Sequence, residues 1–303
     1  MTTPSDIVLG SFIGDALALG PHWIYQQKEL RQRFGHIMDY LPPATAYHAG
    51  KQAGDLTHLG DQSLLLLRSI AEFGAFDLNH YAAAWRAFWE NPATISYRDG
   101  ATKATLSHLK GGRAPESAAS DSSDLAGAVH IAPLFLLKWK NDDLQIAAAR
   151  SLTSFTHGDP AIVETADFLT RLILAVHRGS SIPNALEQTA TLPHWNAFHA
   201  DWIEAAKVSA ASSATDSEAL FDHGLTCHIP DAFTGVCHLL LRHPESPADA
   251  LIANINAGGD SAARGMVLGM IYGARHPVAS LPPGWLSGLR SREEILTLIR
   301  NLS

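Results

Sequence analysis

The chain has 303 residues, with 22 Lys and Arg against 30 Asp and Glu, a formal net charge of −8 and 46% hydrophobic residues. This length can supply a core for one large domain or two ordinary ones, and the hydrophobic content excludes wholesale disorder. The negative charge argues against a nucleic-acid-binding protein. Such proteins concentrate Lys and Arg on one face, whereas the longest basic cluster here runs only from Lys110 to Arg113.

Signals for membranes or secretion are not found in the sequence. No apolar run approaches the roughly 18–20 residues that span a bilayer, and the first residues lack the basic start and apolar stretch of a signal peptide. The two cysteines, Cys227 and Cys237, are too few for a disulfide framework and favour a reducing compartment. We therefore expect a cytoplasmic protein without membrane or nucleic-acid partners.

Two segments near the ends of the chain carry small residues at four-residue spacing. Residues four apart share one face of a helix, so each set forms a smooth stripe along which another backbone can approach closely. Because glycine costs about 0.8–1 kcal/mol at a helical site, we expect these stripes to mark two closely packed helices. The stripes are Gly10, Gly14 and Ala18, and Gly265, Gly269 and Gly273.

Helical periodicity dominates the rest of the chain. Within Ala161–Arg178, apolar residues recur at three- and four-residue steps and form one stripe. Similar patterns predict helices over Ser63–Phe73, Leu78–Trp89, Ala126–Trp139, Leu144–Phe155, Trp195–Ser209, Ala232–Leu241 and Ala248–Ile255. Alternating patterns typical of strands are nearly absent, and no gap is long enough for an interdomain linker. We predict an all-α fold in one domain covering residues 1–303.

Two aspartates follow glycines and precede helical patterns. They are Asp61, in Gly60–Ser63, and Asp260, in Gly258–Ser261. Glycines before a helix leave room for a ligand, and exposed N–H groups at the helix start favour an anion such as phosphate. The alternative interpretation is that both aspartates are N-caps, which accept hydrogen bonds from the first turn.

Taken together, five segments resemble the ADP-ribosylglycohydrolase family, including its crystallin J1 branch. Each motif is weak by itself, but five in the family's order are specific, and the resemblance runs from about residue 7 to about residue 276. The matching segments are Gly10–Leu17, Gly60–Ser63, Ala126–Pro133, Thr156–Pro160 and Ile255–Ser261, the last followed by Gly265 and Gly269.

The resemblance implies an all-α orthogonal bundle with a cleft that holds two Mg²⁺ ions. Members of the family hydrolyse the N- or O-glycosidic bond that joins ADP-ribose to a side chain or small molecule, and the metals orient the ribose and the attacking water. On this chain, Asp61 and Asp260 carry over as metal ligands and catalytic residues. Ser63 and Ser261 retain hydroxyl groups beside them.

The chain also departs from the family pattern. Gln62 and Ala262 replace the second aspartates of two motifs, and the glutamate that usually follows the opening motif is missing from Gly20–Tyr25, so two of five usual carboxylates remain. His130 stands where the family has Arg. Because Mg²⁺ prefers six oxygen ligands, including carboxylates, we expect one Mg²⁺ ion or none.

Histidines beside the altered motifs suggest other chemistry. One hypothesis is that imidazole acid–base chemistry around Asp61 and Asp260 replaces the metals, and a second is a mononuclear transition-metal site. The alternative is that the pocket only binds, or that these histidines pack against helix ends. The candidate substrate-binding residues are Gly258, Gly259, Ser261, Gln62, Ser63, His22, His58 and His130.

Two further features carry weaker hypotheses. The pairs Cys227-His228 and Cys237-His238 resemble zinc ligands, but adjacent residues on one helix point about 100° apart, so we interpret both pairs as packing. Trp23 or Tyr97 is a candidate for stacking on an adenine ring.

The predicted function is hydrolysis of a ribosyl N- or O-glycosidic bond in a small-molecule or protein-linked ADP-ribosyl compound. The alternatives are a catalytically silent binding or structural protein on the same fold, as in the crystallin branch, and an unrelated histidine-based metallohydrolase.

Overall fold

A computed structural model describes residues 2–192 and 198–302, with only the backbone of Phe198. The α-helices in this part of the chain are α1 (Pro4–Ala18), α2 (Gln27–Phe34), α3 (His58–Phe73), α4 (Leu78–Glu90), α5 (Gly100–Lys110), α6 (Asp142–Thr156), α7 (Pro160–His177), α8 (Ile182–Ala190), α9 (Phe198–Ala210), α10 (Asp216–His223), α11 (Ile229–Arg242), α12 (Pro247–Ala257), α13 (Ser261–Arg275), α14 (Pro283–Gly288) and α15 (Arg292–Asn301).

The all-α prediction is confirmed. Across the described ranges the structure has no β-strand, only two isolated bridges, between Ser120 and His157 and between Asp124 and His228. No helix among the described residues is long and apolar enough to cross a membrane.

Most predicted helices begin or end within a few residues of the observed ones, but Ala126–Trp139 is wrong. This segment forms two short 3₁₀ helices, Leu125–Ala128 and Ala132–Leu136. Pro133 lies in the middle of the apolar pattern, where it cannot donate an intrahelical hydrogen bond and its ring would clash with the carbonyl of Val129. The start of the predicted helix Trp195–Ser209 lies outside the described residues, and its remainder is α9.

Helices α1 and α13 cross at the centre of the fold, as the glycine stripes predicted. A Cβ atom at Gly14 would collide with the carbonyl of Gly265, and one at Gly10 with the carbonyl of Gly269. Both helices are buried around their whole circumference over most of their length, which is typical of helices at the centre of a core.

The N-terminal end of α3 is hydrogen-bonded to helix α1 of this central pair. Asp15 of α1 accepts hydrogen bonds from the backbone N–H of Thr57, at 2.7 Å, and from its hydroxyl, at 2.5 Å. Gly60 faces the same carboxylate, and a Cβ atom there would collide with it. As a result α1, α3 and α13 converge, and they bring Asp15, Asp61 and Asp260 to one region.

Candidate functional site

Asp61 forms a nearly buried ion pair with Lys51. The Lys51 ammonium donates to Asp61 Oδ2 at 2.6 Å and to the carbonyl of Leu56 at 2.6 Å. Only 9% of the lysine side chain and 18% of the aspartate side chain are exposed. The N-cap interpretation of Asp61 is wrong, because α3 begins three residues earlier and its cap is Thr57, which accepts from the N–H of Leu59.

Burial raises the pKa values of the carboxyl groups in this region. The pKa of Asp15 rises to about 6 through burial, against the opposing hydrogen bonds from Thr57. Burial also raises the pKa of Asp61, although the Lys51 ammonium lowers it. Carboxyl groups with perturbed pKa values beside a cavity are typical of functional sites.

Asp260 stands at the N-cap position of α13 but makes no capping bond with its side chain. Its Oδ2 accepts from the indole N–H of Trp23 at 3.2 Å, and its buried Oδ1 has no partner among the described residues. Burial raises the pKa of this carboxyl, and the Trp23 hydrogen bond opposes that effect. Trp23 itself has φ of 66°, a left-handed conformation that is rare for a bulky side chain.

Two loops meet in front of α13, and their atoms accept hydrogen bonds from the backbone N–H groups at the start of this helix. Trp23 N–H donates to Gly259 O and Gly259 N–H to Ile24 O, each at 2.8 Å. Asp260 N–H donates to the carbonyl of Leu225 at 2.9 Å, and Ala262 N–H to Nδ1 of His22 at 3.3 Å. The expectation of exposed N–H groups for a phosphate is therefore wrong. Gly259, with φ of 65°, shapes the loop instead.

Aromatic and imidazole rings gather beside these carboxylates. We call this group the ring cluster; its members are His22, Trp23, Tyr47, His48, His58 and Tyr97. His22 stacks on Trp23 with ring centroids 4.3 Å apart, and Tyr47 meets the Trp23 ring edge-on at 4.8 Å. His58 lies within electrostatic range of both Asp61 and Asp260. His22 and His58 therefore lie near the two aspartates, and their role in substrate binding stays a prediction.

Asp99, His58 and His48 form a chain of contacts that ends at a nitrogen of His48. Asp99 Oδ2 lies 3.3 Å from His58 Nε2, and His58 Nδ1 lies 3.3 Å from His48 Nε2. Burial alone would raise the pKa of Asp99, but contacts with His58 and Thr102 lower it, so the carboxylate is ionised. In the tautomer that places the His58 proton on Nε2, facing Asp99, His58 Nδ1 accepts from His48 Nε2 and Nδ1 of His48 is the remaining acceptor. That nitrogen is buried without a partner within the described ranges.

Other candidates on α3 face the core. Gln62 Oε1 accepts from the indole N–H of Trp85 at 2.8 Å, so its carbonyl is already used. Ser63 Oγ lies 3.3 Å from Nδ1 of His130, and both side chains are buried. Burial lowers the pKa of His130 to about 3, which keeps the ring neutral.

A cavity of about 310 Å³ opens beside Lys51 and the outer members of the ring cluster. Its wall includes Tyr47, His48, Lys51, Ser96 and Tyr97. This volume is within the range of small-molecule sites, which combine apolar rings with a few polar groups. Tyr47 is 52% exposed at the edge of the cavity and therefore offers a ring face to a ligand.

The residues around Asp61 and Asp260 do not fit the binuclear Mg²⁺ centre that the family resemblance implies. Mg²⁺ needs near-octahedral oxygen ligands. Here Lys51 occupies one oxygen of Asp61, Trp85 occupies the Gln62 carbonyl and Trp23 occupies one oxygen of Asp260. Within residues 2–192 and 198–302, neither aspartate belongs to a group of three or more His, Cys, Asp or Glu side chains close enough to share an ion.

Sequence reasoning missed Tyr47, His48, Lys51 and Asp99. The first three lie in and beside a 3₁₀ segment before α3, and Asp99 is the N-cap of α5, outside the motifs that carry the resemblance. A usable signal was the N-cap pattern at Asp99, but nothing in the sequence pairs it with His58.

Comparison with known proteins agrees with this architecture. The sequence model of the ADP-ribosylglycohydrolase family matches residues 6–303, nearly the whole chain. The chain belongs to the ADP-ribosylglycohydrolase family. The match continues beyond residue 276, where the motif resemblance ended.

The similar proteins include one named as an enzyme and one named as a crystallin. The ADP-ribosyl-[dinitrogen reductase] glycohydrolase of Rhodospirillum rubrum is 25% identical over 97% of this chain and 94% of its own length. Crystallin J1A of Tripedalia cystophora is 20% identical over 98% of this chain and 94% of its own length. A solved structure described as an ADP-ribosylglycohydrolase-related protein complex superposes with a TM-score of 0.71 at 20% identity, covering 99% of this chain and 97% of that one.

Proposed function

We propose that this chain hydrolyses a ribosyl N- or O-glycosidic bond of an ADP-ribosylated compound through carboxylate and imidazole groups, without Mg²⁺. Family membership and the relative that acts on ADP-ribosyl-dinitrogen reductase support the substrate class. The observation that carries the metal-free mechanism is the internal pairing of both family aspartates, Asp61 with Lys51 and Asp260 with Trp23.

The cavity beside Lys51 is the proposed substrate site. The rings of Tyr47 and Tyr97 offer faces or edges for a base or ribose, since aromatic pairs contribute about 0.5–1.5 kcal/mol beyond their buried area. His22 Nδ1 accepts from the Ala262 N–H in the first turn of α13, His58 lies within electrostatic range of Asp260, and Ser261 is buried beside it. Gly258 and Gly259 shape the same loops.

Asp260 is the proposed acid. Glycosidic cleavage needs a proton on the leaving nitrogen or oxygen while the ribose develops oxocarbenium character. Burial favours the protonated form of Asp260, and its Oδ1 has no internal partner in the described residues. Asp260 lies behind Trp23, whose ring contacts Tyr47 and Tyr97 of the cavity wall. In this mechanism Trp23 moves aside, and the Asp260 proton passes to the leaving atom as the bond to the ribose carbon breaks.

His48 is the proposed acceptor for the attacking water. Burial lowers its pKa to about 3, so the ring is neutral at physiological pH and its open Nδ1 accepts a hydrogen bond from water. The water oxygen bonds to the ribose carbon, and its proton leaves through His48 Nδ1 to solvent. A weak base is sufficient, because water added to an oxocarbenium ion is strongly acidic.

The second candidate is a binding or structural protein without turnover. It is favoured by the same internal pairing, which satisfies Asp61 and Asp260 without substrate, and by the similarity to crystallin J1A. This alternative predicts binding of ADP-ribose without hydrolysis.

The test is release of ADP-ribose in EDTA from one N-linked and one O-linked ADP-ribosyl peptide. Removal of a general acid or of the water acceptor costs about 10²–10⁴-fold in rate, so Asp260→Asn and His48→Asn should each lose at least about 100-fold. The matched control is His36→Asn, because His36 is exposed. Full activity in either site variant contradicts the assigned role, and absence of turnover by the unmodified protein on both peptides contradicts the hydrolase proposal.

A further inference from the structure

Three side chains with metal-ligating atoms meet on a different loop pair from the one that carries Asp260, although Asp124 and Cys227 lie within electrostatic range of that aspartate. Asp124, Cys227 and His228 each offer one ligand atom, and these atoms lie within 4.8 Å of one another. His228 Nδ1 is 3.6 Å from Asp124 Oδ1. In the described part of the chain no other group of three His, Cys, Asp or Glu side chains comes this close. We call this group the Cys227 triad.

The backbone fixes the Cys227 triad. Asp124 and His228 form an isolated antiparallel bridge. On either side of it, Leu125 N–H donates to Cys227 O at 2.9 Å, and Ile229 N–H donates to Ser123 O at 3.2 Å. The two segments are therefore held in register, so an ion would not have to order them.

The interpretation of Cys227-His228 as a helical pair is wrong. Helix α11 begins at Ile229, and His228 is its N-cap with extended backbone, φ −62° and ψ 141°. The 100° separation that argues against chelation therefore does not apply to this pair. It does apply to Cys237-His238, which lies inside α11, where His238 Nε2 contacts Asp216 at 3.0 Å and Cys237 is buried.

We propose that the Cys227 triad binds Zn²⁺ or a similar transition-metal ion. Thiolate, imidazole and carboxylate together are ligands typical of zinc, whereas Mg²⁺ selects oxygen. With Zn–N and Zn–O bonds of about 2.0–2.2 Å, neighbouring N and O ligands of a tetrahedral ion lie roughly 3.3–3.6 Å apart, close to the His228–Asp124 separation. Three protein ligands leave the fourth position for water or another molecule.

The surroundings permit an ion to enter. The His228 side chain is 61% exposed and that of Asp124 29%, so the ion can reach the triad from solvent. Ser123 Oγ lies 3.0 Å from His228 Nδ1. In the neutral tautomer with the proton on Nε2, the hydroxyl donates to Nδ1, and its rotation frees that lone pair for an ion.

Cobalt absorption tests the site directly, because a cysteine thiolate bound to Co²⁺ gives a charge-transfer band that histidine and carboxylate ligands do not. The reduced protein should show this band with one equivalent of Co²⁺ and lose it on adding Zn²⁺. Cys227→Ser should abolish the band, and Cys237→Ala is the matched control that should retain it. His228→Ala, at an exposed position, should weaken Zn²⁺ binding by at least about tenfold.

Two results would overturn the zinc proposal. The first is absence of the thiolate band in the unmodified protein, and the second is its persistence in Cys227→Ser. Protection of Cys227 from a thiol reagent by Zn²⁺ is a second readout that does not depend on cobalt. None of these measurements involves ADP-ribosyl substrates, so the proposal stands or fails separately from the hydrolase proposal.

Discussion

Lys51 supplies a positive charge next to Asp61, where the family resemblance assigns a metal ion. The ammonium is tethered, makes a second hydrogen bond to the Leu56 carbonyl and is almost fully buried. A cation held in this way competes with Mg²⁺, because its dehydration takes place on folding and not on binding. The arrangement explains how a chain with few remaining family carboxylates keeps Asp61 in a buried position.

Replacement of Lys51 by Met should therefore leave Asp61 without its cation. We expect a loss of stability on the order of 3 kcal/mol, because breaking a buried ion pair leaves a charge uncompensated. Added Mg²⁺ should raise the unfolding temperature of this variant but not that of the unmodified protein. Lys51→Arg is the control that keeps the charge. A Mg²⁺-dependent shift in the unmodified protein that disappears in Asp61→Asn would contradict the account.

Asp15 gives a prediction about pH. Its pKa is about 6 in the folded protein and 3.8 when unperturbed, so between these values the folded state binds more protons than the unfolded state. The contribution of Asp15 to stability is present below about pH 4 and is lost as the pH rises through 6. Between pH 4 and pH 7, the free energy of unfolding of Asp15→Asn should therefore rise by on the order of 2–3 kcal/mol relative to that of the unmodified protein.

Urea unfolding at pH 4 and pH 7 measures this difference. Asp201→Asn is a suitable control, since Asp201 is exposed on α9. A stability difference between Asp15→Asn and the unmodified protein that does not change with pH would refute the assignment.

At the scale of elements, the crossing of α1 and α13 is the feature that positions the site. The backbones touch at Gly14 and Gly265, so an added methyl group cannot be accommodated by side-chain movement. Gly265→Ala should destabilise the protein by about 1–3 kcal/mol or more. Gly100→Ala is the matched control: a Cβ at this first residue of α5 meets open space, so the change should be neutral or stabilising. Equal changes in the stability of Gly265→Ala and Gly100→Ala, measured by chemical denaturation, would contradict close packing as the reason for the glycine stripe of α13.

The sequence predicted most helices because each one has a local apolar stripe that its neighbours cover. It failed at Ala126–Trp139, where the apolar pattern was read without the effect of Pro133. It failed again at Cys227-His228, interpreted as neighbours on one helix although the observed helix begins only at Ile229. Both errors concern the ends or interruptions of helices, where one residue overrides the periodicity.

At the scale of the whole molecule, buried neutral histidines predict loss of stability in acid. Burial lowers the pKa of His48 and of His130 to about 3 and that of His199 to about 4. The unfolded chain gains protons below pH 6.5 that the folded chain does not, so stability falls as the pH drops from 6.5 toward these values. His48→Asn should reduce the loss between pH 7 and 5.5 by about 1 kcal/mol, as measured by urea unfolding. An unchanged slope would contradict a neutral His48.

The site was only partly readable from the sequence. Asp61 and Asp260 were identified because they lie in family motifs, and His22 and His58 because they lie beside them. Lys51, His48 and Asp99 were missed because loops outside the motifs bring them together, and no periodicity records such contacts. In the proposed mechanism these residues are essential, since Lys51 pairs with Asp61 and the chain from Asp99 ends at His48 Nδ1.

The most direct test of the central claim is the rate of ADP-ribose release from ADP-ribosyl peptides, measured once with excess EDTA and once with millimolar Mg²⁺. The arrangement of Lys51, Trp23 and His48 predicts the same rate in both conditions. A rate that appears only with Mg²⁺ would contradict a metal-free site, and no release in either condition would contradict hydrolysis itself.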